Sequence, residues 1–492
     1  MTENSRVQAA STPSDQGDRA AAAESGAPSG GWGDLFSKQY AAQASIMAGG
    51  VALYAMNLYF TAALLPSIVE DIGGARFYAW VATGFLIAAV TAAMLVSRLL
   101  ARFGPSRSYL TGFLVFAAGA GLTAASPSME TLIVGRIVQG LGGGLMAGLG
   151  YAVIRTALPE RLWTRAAGLV SAMWGVGTLV GPSLGGLFAE LNAWRGSYVL
   201  LMVAALVLAV LARRSLPGPA GSARAVEPLP LPSLLLLTLA AGAFSISSTV
   251  PRGWATALCI VLGLALLAGF LLVERRGSAT VLPKLTYRRG NHLKWIYLTV
   301  AVYCTGVMTE TFIPLFGQEL GGLSPLAAGF LGATVSVGWT SAQLFSVNLR
   351  SDRARSLAVR VGPAVLTAGL LAYGLLQTSP ASGGRVLLWA VVLVIGGTGI
   401  GAAFPHLSVT AMRSTDDEVE GAKAAAGLNT TQLIAFTVSS ALAGTLVSFG
   451  GDSTLDGARY MVFGLGALTV FGTATAALSL RRARAQGPSD SP

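Results

Sequence analysis

Glu310 stands in GVMTETFIPLF (306–316) and Arg136 in LIVGRIVQGLGGG (132–144). Each is an ionisable side chain inside an apolar run, and Glu310 lies four residues before Pro314. An arginine at the centre of a bilayer costs about 3 kcal/mol or more. A carboxyl buried there is partnered or has its titration displaced. Such a carboxyl, reachable from each side in turn, loads and releases a proton. Both residues also have a plainer reading, Glu310 as a wet acid near a membrane face and Arg136 as a side chain snorkelling to the headgroups. His406, near the end of its own run, reads either as a hydrogen-bonded interface histidine or as a proton relay.

The elements that hold these residues are membrane helices. Of 492 residues, 53% are hydrophobic and only 11% charged, against roughly 25% charged in a soluble domain. The 62 glycines suit membrane helices, which pack through small residues. Apolar runs of spanning length fall at roughly 43–66, 77–97, 108–126, 131–153, 166–189, 196–212, 231–249, 254–273, 295–317, 325–347, 361–377, 386–408, 424–449 and 460–479. That makes fourteen candidates, of which 231–249 and 361–377 are the weakest. Basic residues crowd alternate loops, as in Arg98–Arg107, Arg275–Lys294 and Arg353–Arg360, while Arg76, Arg195, Arg252, Arg385 and Arg459 stand in the opposite ones. This alternation predicts both termini in the cytoplasm. The net charge of +11 is therefore spread between spans, with no basic surface for nucleic acid.

The chain repeats itself. LLPSIVEDIGG (64–74) aligns with FIPLFGQELGG (312–322), and AAGL at 166–169 recurs at 425–428. Two parallel six-helix halves are a known transporter architecture, and the runs 231–249 and 254–273 are left over as an inserted pair. The expected organisation is a disordered tail over 1–38, an N-terminal bundle over 39–214 and a linker over 215–230. The inserted pair over 231–273, a linker over 274–294, a C-terminal bundle over 295–480 and a tail over 481–492 follow.

The segment RAAGLVSAMWGVGTLVGPSLGG (165–186) carries Gly168, Gly177, Gly181, Pro182, Gly185 and Gly186. In these positions it resembles the fifth-helix antiporter motif of drug:proton antiporters of the major facilitator superfamily. Leu132, Arg136, Gln139, Gly140 and Gly142 resemble that family's fourth-helix pattern. VERRGSATVLPKL (273–285) and FGQELGGLSPLAAG (316–329) look like the segments flanking the ninth span of the fourteen-helix branch. The resemblance implies an all-α major facilitator fold, close packing and a bend along the fifth helix, and a role for Arg136 in a cavity and in proton transfer.

The departures are specific. The aspartate that usually stands nine residues before the first-helix proline is Asn57 here. The gate motif after the second helix reads SRLLARFGPS, where Arg102 and Gly104 survive and Ala101 replaces the aspartate. Tyr54, Asn57, Tyr59, Gln139 and Trp174 from one half, and Glu310, Trp339, Gln343, Asn429 and Gln432 from the other, are the expected cavity and proton-pathway residues. Aromatic walls with sparse polar groups suit an amphipathic organic molecule. The expected protein is a monomeric exporter of the bacterial plasma membrane, with protons as coupling ion and no cofactor or metal. It carries neither a GxxxxGK[ST] loop nor a catalytic triad, and only two histidines and two cysteines. The rival readings are an uncoupled facilitator or importer, which Asn57 favours, and a non-transporting scaffold or sensor.

Overall fold

The computed structural model describes residues 32–218, 229–251, 253–277, 279–288, 290–349, 351–415 and 418–485. The expected tail over 1–31, most of the 215–230 linker and the end of the C-terminal tail lie outside them. All regular structure among the described residues is helical. This follows from the composition, because in hydrocarbon every backbone N–H and C=O must be paired within its own segment.

In chain order the long helices are α1 (Ala41–Ile72), α2 (Tyr78–Ala93), α3 (Val96–Ala124), α4 (Met129–Ala152), α5 (Trp163–Glu190) and α6 (Trp194–Ser215). Then come α7 (Leu231–Ser247), α8 (Trp254–Arg276), α9 (Leu293–Val307), α10 (Ile313–Glu319), α11 (Pro325–Gly332) and α12 (Thr334–Ser346). The chain closes with α13 (Asp352–Leu376), α14 (Gly383–Met412), α15 (Glu418–Ser448) and α16 (Thr454–Ala485). Eleven helices among the described residues are long and apolar enough to cross a membrane, with Leu293–Glu319 taken as one length. The remaining runs are helical too, but α3 begins in an arginine-bearing stretch, α7 is short, and α11 and α12 are separated at Ala333.

The packing pattern occurs twice. In the first set α1 lies on α5, α3 on α4 and α6, and α2 on α4. In the second, α9 lies on α15, α13 on α14 and α16, and α12 on α14. The fourth helix of each set makes its contacts through alternate glycines. A Cβ on Gly140, Gly142 or Gly144 would fall 2.1–2.3 Å from backbone atoms of Phe85, Phe116 or Ala89. A Cβ on Gly397, Gly399 or Gly401 would meet Val335, Gly362 or Trp339 backbone at 1.9–2.2 Å. Such approach, closer than any side chain allows, holds helices together where lipid supplies no hydrophobic drive.

The gate segment 97–106 is helical up to a break at Gly104 (φ 72°, ψ 176°), before Pro105, that divides α3 into two helical lengths. Only glycine takes that conformation readily. The kink brings Ser106 against the end of α6, its amide donating to Pro217 O (3.1 Å) and its hydroxyl to Ala212 O (3.1 Å). Arg102 is exposed, its guanidinium 5.4 Å from the Phe103 ring centre. Gly104→Ala is expected to lower stability by about 1–3 kcal/mol, read as a lower melting midpoint of the purified protein. An unchanged midpoint would show that the kink relaxes freely.

The helix pair α7–α8 lies at the seam between the sets. α7 packs on both α2 and α15, and Thr445 Oγ1 of α15 donates to Phe244 O at 2.9 Å. The segment after α8 is tied back on itself. The buried Glu274 carboxylate accepts from the amides of Val281 (2.9 Å) and Leu282 (3.2 Å) and from the Tyr287 hydroxyl (2.9 Å).

Candidate functional site

Between the two sets lies a small cavity lined by Tyr59 and Leu58 of α1, Arg136 of α4, and Met308, Glu310 and Thr311 of the turn after α9. Its open space is about 20 Å³, enough for about one water. The site is thus nearly closed in this conformation.

Glu310 is 4% exposed, which removes its reading as a wet surface acid. The helix over 293–319 breaks into a 3-10 turn at Met308–Thr311, and Pro314 opens the next helical stretch. The run over 325–347 breaks at Ala333 as well, so α12 begins beside that turn. A helix start leaves amides without intrahelical acceptors. One of them, Ser336 N–H, donates to Glu310 Oε1 at 2.7 Å, and the Ser336 hydroxyl donates to Oε2 at 2.8 Å. Glu310 therefore caps α12 from a neighbouring helix, where the helix dipole favours a negative charge. The Tyr59 hydroxyl lies 3.3 Å from Ser336 Oγ, linking α1 of the other set to this group.

Arg136 is 0% exposed and does not snorkel. Its Nη1 donates to Asn57 Oδ1 (2.9 Å) and Gln139 Oε1 (2.6 Å), and its Nε to Val81 O (3.3 Å). The guanidinium carbon stands 4.3 Å from the centre of the Phe85 ring. Asn57 and Gln139 are equally buried, so the sequence-expected trio is one hydrogen-bonded cluster.

The other expected cavity residues stand apart from this space. Trp174 packs edge-on against Tyr54, with ring centres 5.6 Å apart. Trp339 Nε1 donates to Gln343 Oε1 at 3.0 Å, and its ring meets Phe404. Gln432 and Asn429 are half-buried. His406 Nε2 lies 2.9 Å from the Ser346 hydroxyl, which also donates to Ala402 O. The residues that reading the sequence missed are Ser336 and Thr311. A lone serine in an apolar run carries no signal until the break at Ala333 exposes its amide.

The fifth-helix motif packs on two partners. A Cβ on Gly177 would lie 2.5 Å from Ala55 Cβ and 2.7 Å from Met56 N, and one on Gly181 would lie 2.9 Å from Met56 O. Gly185 faces Phe60 in the same way. Gly186 instead meets the second set, 2.5 Å from Leu326 Cα, and Gly329 of α11 returns the contact at Pro182 O. Gly168 is a correction to the expected packing face: a Cβ there would have nothing within 4 Å. Pro182 lies inside a continuous helix, Trp163–Glu190. Gly186–Leu326, Gly444–Ala79 and the 3.2 Å bond from Thr83 to Ser440 all lie toward the end of the bundle where α1 and α5 finish. The two sets are closed against each other at that end.

Comparison with known proteins agrees with this geometry. The chain is 43% identical over 448 residues to a protein of Mycobacterium tuberculosis named a probable multidrug-efflux transporter, covering 89% of this chain and 95% of that one. It is 25% identical over 352 residues to the multidrug efflux pump SdrM of Staphylococcus aureus, covering 71% and 77%. The crystal structure of a D-xylose–proton symporter has the same fold, with a TM-score of 0.63 at 14% identity over 89% of this chain and 97% of that one. A POT family transporter solved with a thioalcohol-conjugated peptide matches with a TM-score of 0.64 at 14% identity, over 88% and 94%. The model of the Major Facilitator Superfamily matches residues 47–422. By that match and by its twice-repeated helix packing, the chain belongs to the Major Facilitator Superfamily.

Proposed function

We propose that this transporter exports amphipathic small organic molecules in exchange for protons, and that it belongs to the fourteen-helix drug:proton antiporter branch. The observation that carries this reading is the central cavity, where a buried carboxyl of one helix set and a buried guanidinium of the other line the same space. The names of the relatives support an exporter of drug-like compounds. Glu310 is the proton carrier. The groups facing it are Ser336 of α12, Tyr59 of α1 and, across the cavity, Arg136 of α4. Burial opposes its charge, whereas two donors and a helix start favour it. A group that must both take up and release a proton needs such a balance.

In this reading the six-helix units span 39–214 and 295–480, the inserted pair spans 231–273, and the protein is a monomer of the bacterial plasma membrane with both termini cytoplasmic. The closed end is then the outer face. Reporter fusions after Ser222, Arg252 and Arg276 are expected to read inside, outside and inside. An inside signal at Arg252 would remove α7 and α8 from the count of spans.

The test of function is transport of an amphipathic dye, Hoechst 33342, into everted vesicles holding the protein. Dye transport that needs a proton gradient and stops with a protonophore supports the exchanger. Asn57 in the place of the usual aspartate favours a second reading, an uncoupled facilitator, and dye movement indifferent to the protonophore would establish it.

A further inference from the structure

Arg136 carries a whole positive charge in the interior, and every partner it has is neutral. No described carboxylate lies within ion-pairing distance of it. Its supports are themselves only half satisfied. A guanidinium has donors alone, so Asn57 and Gln139 must turn their oxygens toward it. That leaves Asn57 Nδ2 and Gln139 Nε2 buried with no acceptor from the protein. The hydroxyl of Tyr54, whose ring stacks on the same Phe85 that carries the guanidinium, is buried and unpaired as well. Each unmet donor is unfavourable in the interior, and an unpaired buried charge is more so. The cluster is short of an anion. Across the same cavity Glu310 is held by uncharged donors only, and it is short of a cation.

We propose that the central cavity, taken as the transport path, receives zwitterionic amphipaths. The ligand's carboxylate docks on Arg136, Asn57 and Gln139, and its ammonium group faces Glu310. This accounts for asparagine at position 57. An aspartate there would give Arg136 an internal counter-ion, whereas the amide leaves that place to the ligand and adds a donor to it.

The test uses one aromatic body in four charge states: 3-(1-pyrenyl)alanine, its methyl ester, its N-acetyl derivative and its N-acetyl methyl ester. Binding to the full-length protein in nanodiscs is read by energy transfer from tryptophan at about pH 6, where the free amines are charged. The zwitterion is expected to bind at least tenfold more tightly than the neutral form. Arg136→Gln is expected to weaken the two carboxylate-bearing probes tenfold or more and leave the two esters unchanged. Asn57→Asp is expected to do the same with the arginine in place, and it serves if Arg136→Gln does not fold. Glu310→Gln is expected to weaken only the two amine-bearing probes. Equal binding of all four probes overturns the proposal but leaves an amphipath site standing. Failure of every probe to bind removes that site and the proposal with it. A uniform loss for all four in Arg136→Gln and Asn57→Asp would show that the cluster only supports the helices, and the proposal falls.

Discussion

Gly181→Leu is expected to abolish transport while the protein stays in the membrane, and Gly168→Leu is expected to transport almost normally. Both are glycines of one motif on one helix, so the contrast isolates packing from composition. At Gly181 a side chain would begin 2.9 Å from Met56 O and 3.0 Å from Tyr59 Cβ, against the backbone of α1. Backbone cannot swing aside as a side-chain tip does, and overpacking of this kind costs about 1–3 kcal/mol. That cost leaves most of the fold's stability in place. It is, however, comparable to the few kcal/mol that separate the alternating conformations of a transporter, so transport fails before folding does. Gly186→Leu acts differently, because its neighbours Pro325 and Leu326 belong to the other helix set. It should wedge the closed end apart and raise labelling of Thr83→Cys by an impermeant maleimide from that face, in a background lacking Cys259 and Cys304. Blots for membrane content beside dye efflux decide the first claim. Near-normal efflux by Gly181→Leu would show that close α1–α5 packing is dispensable.

The helices were legible because apolar runs of spanning length pair their backbone groups internally, and every run read from the sequence is largely helical, two of them with a break. The cluster of Arg136, Asn57 and Gln139 was legible for a similar reason, since polar groups in lipid must find one another. The alternate glycines at 140–144 and 397–401 carry the internal repeat more directly than the stretches used to find it, and G-x-G-x-G at matching places was the available signal. The breaks at 308–311 and at Ala333 were not legible. They arise where a carboxylate and a helix start satisfy each other across two helices, and no local propensity encodes that pairing. Two aromatics expected on the cavity wall, Trp174 and Trp339, do not line the central cavity. Trp174 and Trp339 pack on Tyr54 and Phe404 within their own sets, and an aromatic in a glycine-rich helix fills space wherever the backbone leaves it.

If Glu310 carries the proton, Glu310→Gln is expected to uncouple transport: downhill flux and exchange persist, and uphill efflux is lost. The amide keeps the volume and an acceptor oxygen for Ser336, so the cap on α12 survives and only the titrating charge is removed. The expected size follows from the driving force. One proton moving down a gradient of about one pH unit supplies about 1.4 kcal/mol, which sustains about a tenfold substrate gradient. In Glu310→Gln that ratio falls to about one. In the wild type, efflux is expected to slow as external pH rises, because the inward proton gradient shrinks. Reconstituted liposomes with imposed gradients measure both quantities, and counterflow exchange separates lost coupling from lost folding. If Glu310→Gln still builds the wild-type gradient in a pH-dependent manner, the proton is carried elsewhere. His406 is then the residue to replace, because its imidazole meets the Ser346 hydroxyl between α12 and α14 of the same set.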